Sequence, residues 1–250
     1  MPGIKPLNKN FPLPFTGFSK NTFKFFSDIE KNNNSDWFSS NRSVYDNYIV
    51  EPSRAFVHSI GQFFNYVNPS IRTEPKFNKT LMRISNDMRF SKKNPYKNYF
   101  LIHFGRFKMD SEFYVYIDKK GIEYGIFLNN SIDDGLYFNQ NVLSNRKEII
   151  KTFKNYKLNN KFSFYSFKKD SKLLAEKFNA EKDFDVFERT KYILLQKSLL
   201  KKEKIVCKTD FLNEAVKTFS RLYPLYCFAI SPRPLKFLND FEERIGVAFD

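Results

Sequence analysis

The chain has 250 residues, of which 42% are hydrophobic and 18% aromatic, and its formal net charge is +15. Side chains this bulky can offset the entropy lost on ordering, so the composition excludes a disordered protein and predicts a soluble globular one. Two cysteines and two histidines exclude a disulfide scaffold and a multi-histidine metal centre, and we predict no metal site and no cofactor.

The first third of the chain predicts an extended arm followed by helices. Residues 1–17 are rich in Pro, Asn and Lys and lack the apolar run of a signal peptide. Ser19 suits the N-cap of a first helix, Asn34 or Ser35 that of a second, and Pro52 the first turn of a third. No segment is apolar over the length that a bilayer requires, so we expect a cytoplasmic protein with no membrane partner.

The middle of the chain changes to the alternation that is typical of strands. Residues 80–85 alternate between apolar and polar side chains, and three short aromatic runs follow at 98–107, 112–121 and 121–130. Lys119, Lys120 and Gly121 are expected to turn the chain between the last two runs. These signals predict an antiparallel meander.

Helical patterns return at residues 141–156 and 209–226, where Asp210 is a plausible N-cap, while residues 192–200 fit either a helix or a strand. The predicted fold class is therefore α+β, with an antiparallel β-meander in the middle of the chain packed by N-terminal and C-terminal helices. We expect an extended arm, a single domain and a C-terminal tail, at residues 1–17, 18–230 and 231–250 respectively.

The most unusual segment is the predicted hairpin corner "RISNDMRFSKKNPYK". Arg83, Asp87 and Arg89 share parity, so an extended backbone would place the carboxylate between two guanidinium groups on one face. Asp87 could then orient both arginines toward a phosphate or carboxylate, or the same network could serve only to hold the hairpin. The further candidate ligand-binding residues are Ser91, Tyr96, Lys97 and His103.

Catalytic chemistry has weaker support in the sequence. His103 could be a general base but is more simply a packed strand residue, and Glu123 is the second carboxylate expected nearby, on the opposite face of its strand from Tyr124. The chain contains no nucleophile elbow, Walker loop, dinucleotide fingerprint or zinc motif. Its catalytic residues, if the protein is an enzyme, are not identified.

The basic charge suggests a different class of function. Aromatic strands beside basic residues describe a surface on which nucleic-acid bases can stack, and the candidate residues are Tyr99, Phe113, Tyr114, Tyr116 and Tyr124. The lysines and arginines are, however, scattered along the whole chain, with denser groups at residues 89–97, 146–161, 168–172 and 197–208. Such scatter favours a compositional origin of the charge.

Three segments resemble the family known as domain of unknown function 2461. They are "FTGFSKNTFKFFSDIEKNNNSDWFSSNRSVYDNYIVEP", "RISNDMRFSKKNPYK" and "AVKTFSRLYPLYCFAI", so the resemblance covers roughly residues 15–230 in order. It implies one α+β domain and brings no established activity. The residues that match the family's central signature are Arg83, Asp87, Arg89, Phe90, Ser91, Pro95, Tyr96 and Lys97.

The chain departs from that signature at three places. The segment between Ser91 and Pro95 is one residue short, Asn86 replaces a basic residue, and Tyr99 stands where the resemblance implies a histidine. A catalytic histidine at that position would be lost here, because the tyrosine hydroxyl ionises only at a pH of about 10.

The sequence thus favours a domain that binds a small anionic ligand or polyanion at the hairpin. The alternative is a basic protein associated with nucleic acid or ribonucleoprotein, and a hydrolase or transferase built on the same residues ranks last. The oligomeric state is not specified.

Overall fold

A computed structural model describes residues 14–87, 89, 93–107, 110–168 and 170–245. Its N-terminal helices are α1 (Lys20–Lys31), α2 (Ser35–Ser40), α3 (Arg42–Tyr45) and α4 (Glu51–Val67), with a π-helical turn at Asp46–Val50. The Asn34 side chain caps α2 by accepting a hydrogen bond of 2.9 Å from the backbone N–H of Trp37, as predicted. Ser19 precedes α1 but makes no capping hydrogen bond.

The sheet has six described strands in the order β1-β2-β3-β6-β4-β5, and neighbouring strands are antiparallel. Their bounds are β1 (Tyr99–Phe104), β2 (Glu112–Asp118), β3 (Gly121–Asn129), β4 (Ser163–Phe167), β5 (Ser171–Ala175) and β6 (Tyr192–Leu200). The meander β1-β2-β3 confirms the prediction for the middle of the chain, and the ambiguous segment 192–200 is a strand.

Two strand predictions need correction. Residues 80–85 form only isolated bridges, from Leu81 to Ile102 and from Ser85 to Tyr96, because the segment leaves the edge of β1 to enter a hairpin of its own. Strands β4 and β5 were not predicted, since each has only five residues and β5 is mostly exposed.

The C-terminal half supplies α5 (Phe138–Ser144), α6 (Arg146–Asn155), α7 (Ala180–Arg189), α8 (Asp210–Ile230) and α9 (Pro234–Ile245), with a 3₁₀ turn at Lys204–Cys207. Thr209 rather than Asp210 occupies the N-cap position of α8, so Asp210 is the first helical residue. Helix α9 packs through the buried ring of Phe241, which stacks on Tyr223 of α8 at a centroid distance of 4.6 Å. No described helix is both long enough and apolar enough to cross a bilayer.

Strand alternation divides the sheet side chains into two faces. The helix-covered face is mostly buried and packs on α4 and α8, for example through Phe104 on Phe64 at 4.7 Å and Phe113 on Phe219 at 5.3 Å. Its other members include Phe100, Ile102, Val115, Ile117, Ile122, Tyr124, Ile126, Leu128, Ile193 and Leu195.

The outer face, on the opposite side of the sheet, is only partly buried. It comprises Tyr99, Leu101, His103, Glu112, Tyr114, Tyr116, Glu123, Phe127, Gln196 and Tyr165, together with the other strand residues of the same parity. None of the outer-face positions in the six described strands is a lysine or an arginine, although the chain has 42 of them. The positive charge of the protein therefore lies elsewhere.

Candidate functional site

The residues of the sequence signature form a short hairpin at the edge of β1, which we call the signature hairpin (residues 83–97, described except at 88 and 90–92). Its two legs are joined by the backbone hydrogen bonds Asn86 N–H to Pro95 O and Lys97 N–H to Ile84 O, both of 2.8 Å. A further hydrogen bond of 2.8 Å runs from the Asn86 side-chain amide to Asn94 O. The hairpin therefore positions its side chains without the support of a long strand.

Asp87 and Arg89 form a bidentate ion pair at the tip of the hairpin. The Arg89 Nη2 atom lies 2.6 Å from Asp87 Oδ2, its Nε atom lies 3.0 Å from Asp87 Oδ1, and its backbone N–H donates to Oδ1 at 3.1 Å. These hydrogen bonds lower the pKa of Asp87 and raise that of Arg89. The pair was expected from strand parity, but it arises from a turn at Arg89 in which the carboxylate binds the backbone two residues on.

Arg83 is exposed and does not contact Asp87 among the described residues. The carboxylate thus does not lie between two arginines, because the hairpin legs diverge from the extended geometry on which that expectation depended. Arg83 instead contributes its backbone carbonyl to the binding of Lys97.

Lys97 lies between the hairpin legs and is partly buried. Its Nζ atom donates to the carbonyl oxygens of Arg83 at 3.0 Å and Ser85 at 2.5 Å. In the described part of the chain no carboxylate lies within ion-pair distance of this ammonium group, and burial lowers its pKa. Lys97 is therefore a partly desolvated cation with no carboxylate beside it among the described residues.

Tyr96 fixes the approach to Lys97. Its ring stacks on Phe38 of α2 with a centroid distance of 4.1 Å, and its backbone exchanges hydrogen bonds of 2.8 and 2.9 Å with the Asn33 side chain. These contacts tie the hairpin to the loop before α2. The Tyr96 ring is held by packing on Phe38, and its backbone is held by the Asn33 side chain.

His103 lies on the outer face of β1, where its Nδ1 atom is 2.8 Å from Glu112 Oε2, and both side chains are about one-fifth exposed (20% and 19%). Its backbone N–H donates to Thr80 O at 2.9 Å. No described contact joins His103 to the hairpin residues Asp87 and Lys97. Glu112 was not predicted, although the cross-strand register of two alternating segments could have indicated it. Ser91 lies outside the described residues.

The outer face also contains a polar cluster around Glu123. The Tyr114 hydroxyl donates to Gln196 Oε1 at 2.5 Å across the sheet, and Gln196 in turn hydrogen bonds to Glu123. Burial raises the pKa of Glu123 above its ordinary range, and it outweighs the hydrogen bond from Gln196, which lowers that pKa. Glu123 and Tyr124 lie on opposite faces, as predicted.

A second polar cluster lies under α8 on the helix-covered face and was missed in the sequence. Lys197 Nζ lies 2.8 Å from Glu214 Oε1 and 3.2 Å from Thr218 Oγ1, and the Tyr124 hydroxyl donates to Glu214 at 3.2 Å. Burial alone would raise the pKa of Glu214, but the hydrogen bond and charge of Lys197 bring it below its ordinary value. These groups satisfy one another, which indicates a structural role.

The aromatic residues expected to stack on bases divide between the two faces. Tyr99, Tyr114 and Tyr116 lie on the outer face, where Tyr99 and Tyr116 stack at 4.9 Å. Phe113 and Tyr124 lie in the core. Among the residues that the structure describes, no group of three or more His, Cys, Asp or Glu side chains is arranged to hold a metal ion.

Comparison with known proteins identifies the chain at family level. Residues 21–228 match the family described as conserved hypothetical protein, domain of unknown function 2461, and the signature hairpin lies within this range. The resemblance inferred from the three sequence segments is thereby confirmed. No curated protein matches the chain.

Proposed function

The chain belongs to the domain of unknown function 2461 family, and we propose that its signature hairpin binds a phosphate or carboxylate group at Lys97. The observation that carries the proposal is the environment of this ammonium group, which is partly buried and bonded only to the Arg83 and Ser85 carbonyls among the described residues. An ammonium group has three donors, so one is left for a ligand.

Electrostatics favours an anion at this position. Burial disfavours the charged form of Lys97 and lowers its pKa. A bound phosphate or carboxylate would offset that cost, since an opposite charge within a few ångströms favours the ammonium form. Arg83 lies two residues before the hairpin bridge at Ser85, and its exposed side chain would add positive charge at the rim.

Asp87 and Arg89 would have a supporting role in this proposal. Their bidentate ion pair fixes the plane of the guanidinium group and keeps the carboxylate ionised. Tyr96 would hold the backbone next to Lys97 through its stack on Phe38. In this proposal Ser91 and His103 have no assigned role.

The proposal can be tested by titrating the protein with inorganic phosphate in calorimetry at constant ionic strength, with chloride as the competing salt. We expect saturable phosphate binding that Lys97→Gln weakens about tenfold or more, because the variant removes the charge while keeping a donor. Lys93→Gln is the matched control, since Lys93 is an exposed lysine of the same hairpin. Equal weakening by both substitutions would indicate nonspecific attraction and contradict the proposal.

The pH dependence gives a second, independent test. Binding should fall as the pH rises through the lowered pKa of Lys97, before ordinary exposed lysines lose their protons. Binding that persists until exposed lysines titrate would argue against Lys97 as the anion-binding group.

The charge of the outer face weighs against nucleic acid as the principal ligand. A strand stacked on Tyr99 and Tyr116 would lie near Glu123, which is directly opposite Tyr116, with no lysine or arginine at the described outer-face strand positions. Nucleic-acid binding requires cations that neutralise the phosphates. The hydrolase or transferase alternative still has no identified nucleophile.

A further inference from the structure

A groove of about 740 Å³ lies between β4, β5 and α7, far along the sheet from the signature hairpin. This volume falls in the range of small-molecule binding sites. The side chains that line the groove come from the turn region of β4 and β5, from the outer part of α7 and from the start of β6. They include Ser166, Phe167, Lys168, Lys172, Leu174, Asp185, Val186, Arg189, Lys191 and Tyr192.

The charge of the groove is positive and is only partly neutralised by Asp185, whose pKa is lowered by Arg146 and also by Arg189. Lys168, Lys172, Arg189 and Lys191 line it, and none of the four forms an ion pair with a carboxylate in the described ranges of the chain. The one lining carboxylate, Asp185, is held at 2.6 Å by Arg146, which is not a lining residue. The ion pairs of the protein therefore leave an excess of positive charge at this place.

The groove is also apolar at its surface. Phe167, Leu174 and Val186 are 42%, 36% and 48% exposed, although all three line the same concave surface. Exposed apolar side chains are ordinary when they are isolated, but a cluster in a concavity gains free energy when an apolar body covers it. The cations beside this cluster favour a covering molecule that carries negative charge.

We infer that the groove binds an amphiphilic anion, a small molecule with an acidic head group and an apolar body. The head group would lie among the four cations, and the body would cover Phe167, Leu174 and Val186. This inference is independent of the proposed function at Lys97, because the two sites share no residue.

The test uses the full chain and the fluorescent amphiphilic anion anilinonaphthalene sulfonate as the probe. We expect saturable binding that dodecanoate displaces below its micelle concentration. Dodecanol, which lacks the charge, and dodecyltrimethylammonium, which reverses it, should displace the probe at least about tenfold less well. Displacement by all three at similar concentrations would overturn the inference, because it would reflect apolar adsorption alone.

Matched variants locate the binding. Lys172→Gln with Arg189→Gln should weaken dodecanoate binding about tenfold, because each exposed charge contributes a few-fold at most. Lys217→Gln with Lys236→Gln removes the same charge from exposed positions on α8 and α9 and should leave binding unchanged. Val186→Ser should weaken binding about threefold through the apolar body. Weakening by the control pair equal to that of the groove pair would refute the site.

Discussion

Glu123 and Tyr124 are neighbours in β3, yet they belong to opposite faces of the sheet and have different surroundings. Tyr124 is buried beneath α8, where its hydroxyl joins the cluster of Lys197, Glu214 and Thr218. Glu123 is partly buried on the outer face beside Gln196 and Tyr116. Strand alternation gives the sheet two faces. The helices make these faces different, because they cover only one of them and provide partners for its polar groups.

The difference matters for function because it changes the environment, and so the pKa, of the ionisable groups on each face. On the helix-covered face Lys197 brings the pKa of Glu214 below its ordinary value, whereas on the outer face burial raises the pKa of Glu123 more than Gln196 and Lys120 lower it. Exposed cations are present at the signature hairpin, beside β1, and at the groove beside β4, β5 and α7. We therefore expect ligand sites at the two edges of the sheet.

The largest expected difference concerns the packing of the two faces within β2. Phe113→Ala should lower the free energy of unfolding by about 3–5 kcal/mol, because its fully buried ring contacts Phe64, Phe219 and Tyr226. Tyr116→Ala on the outer face should cost only about 1 kcal/mol, for the loss of its stack with Tyr99. Urea unfolding of both variants measures this, and equal losses would mean that the outer face is covered in solution.

A smaller effect is expected from the polar cluster under α8. Lys197→Met should lower the free energy of unfolding by about 1–3 kcal/mol, since Glu214 is left partly buried without its cation. The double variant Lys197→Met with Glu214→Leu should recover most of this loss. A double variant as unstable as the single one would show that the pair contributes more than mutual neutralisation.

The pH dependence of stability should have opposite signs on the two faces. Because the folded pKa of Glu123 is raised, its contribution to stability is complete below its ordinary pKa and is lost as the pH rises through the folded pKa. The stability of wild type relative to Glu123→Gln should therefore decrease as the pH rises above the ordinary glutamate pKa of about 4.3.

Glu214 provides the matched comparison. Its folded pKa is lowered, so its contribution is complete above its ordinary pKa and is lost as the pH falls through the folded pKa. Wild type should lose its advantage over Glu214→Gln as the pH falls from about 6 to 3. Thermal unfolding across the pH range checks both signs, and parallel curves for the two variants would contradict the assigned environments.

The smallest effect is expected at the tip of the signature hairpin. Asp87→Asn should leave the unfolding midpoint unchanged within error, because the Asp87 and Arg89 side chains are 44% and 82% exposed and solvent screens their attraction. The same variant should weaken phosphate binding if Arg89 needs its fixed orientation. A large loss of stability would instead indicate that the ion pair holds the hairpin together.

Much of the local structure was predictable. Alternating aromatic runs indicated β1, β2 and β3, Asn34 was one of the two residues predicted to cap α2, and strand parity predicted that Asp87 lies beside Arg89. The contact between Asp87 and Arg89 does not depend on strand parity, because a turn at Arg89 brings the two residues together. Signals of this kind span only a few residues, and a hydrophobic period or a capping side chain acts within one turn or one strand.

What the tertiary structure alone decided is the pairing of distant segments. β6 lies between β3 and β4, and Lys197 of β6 meets Glu214 of α8. The groove exists only because β4, β5 and α7 converge. The sequence by itself determined the class of fold, the family and the individual elements near the hairpin, because these depend on local periodicity and motif. Which charges are neutralised and which remain for a ligand depends on contacts between residues far apart in the chain, and no local pattern encodes those contacts.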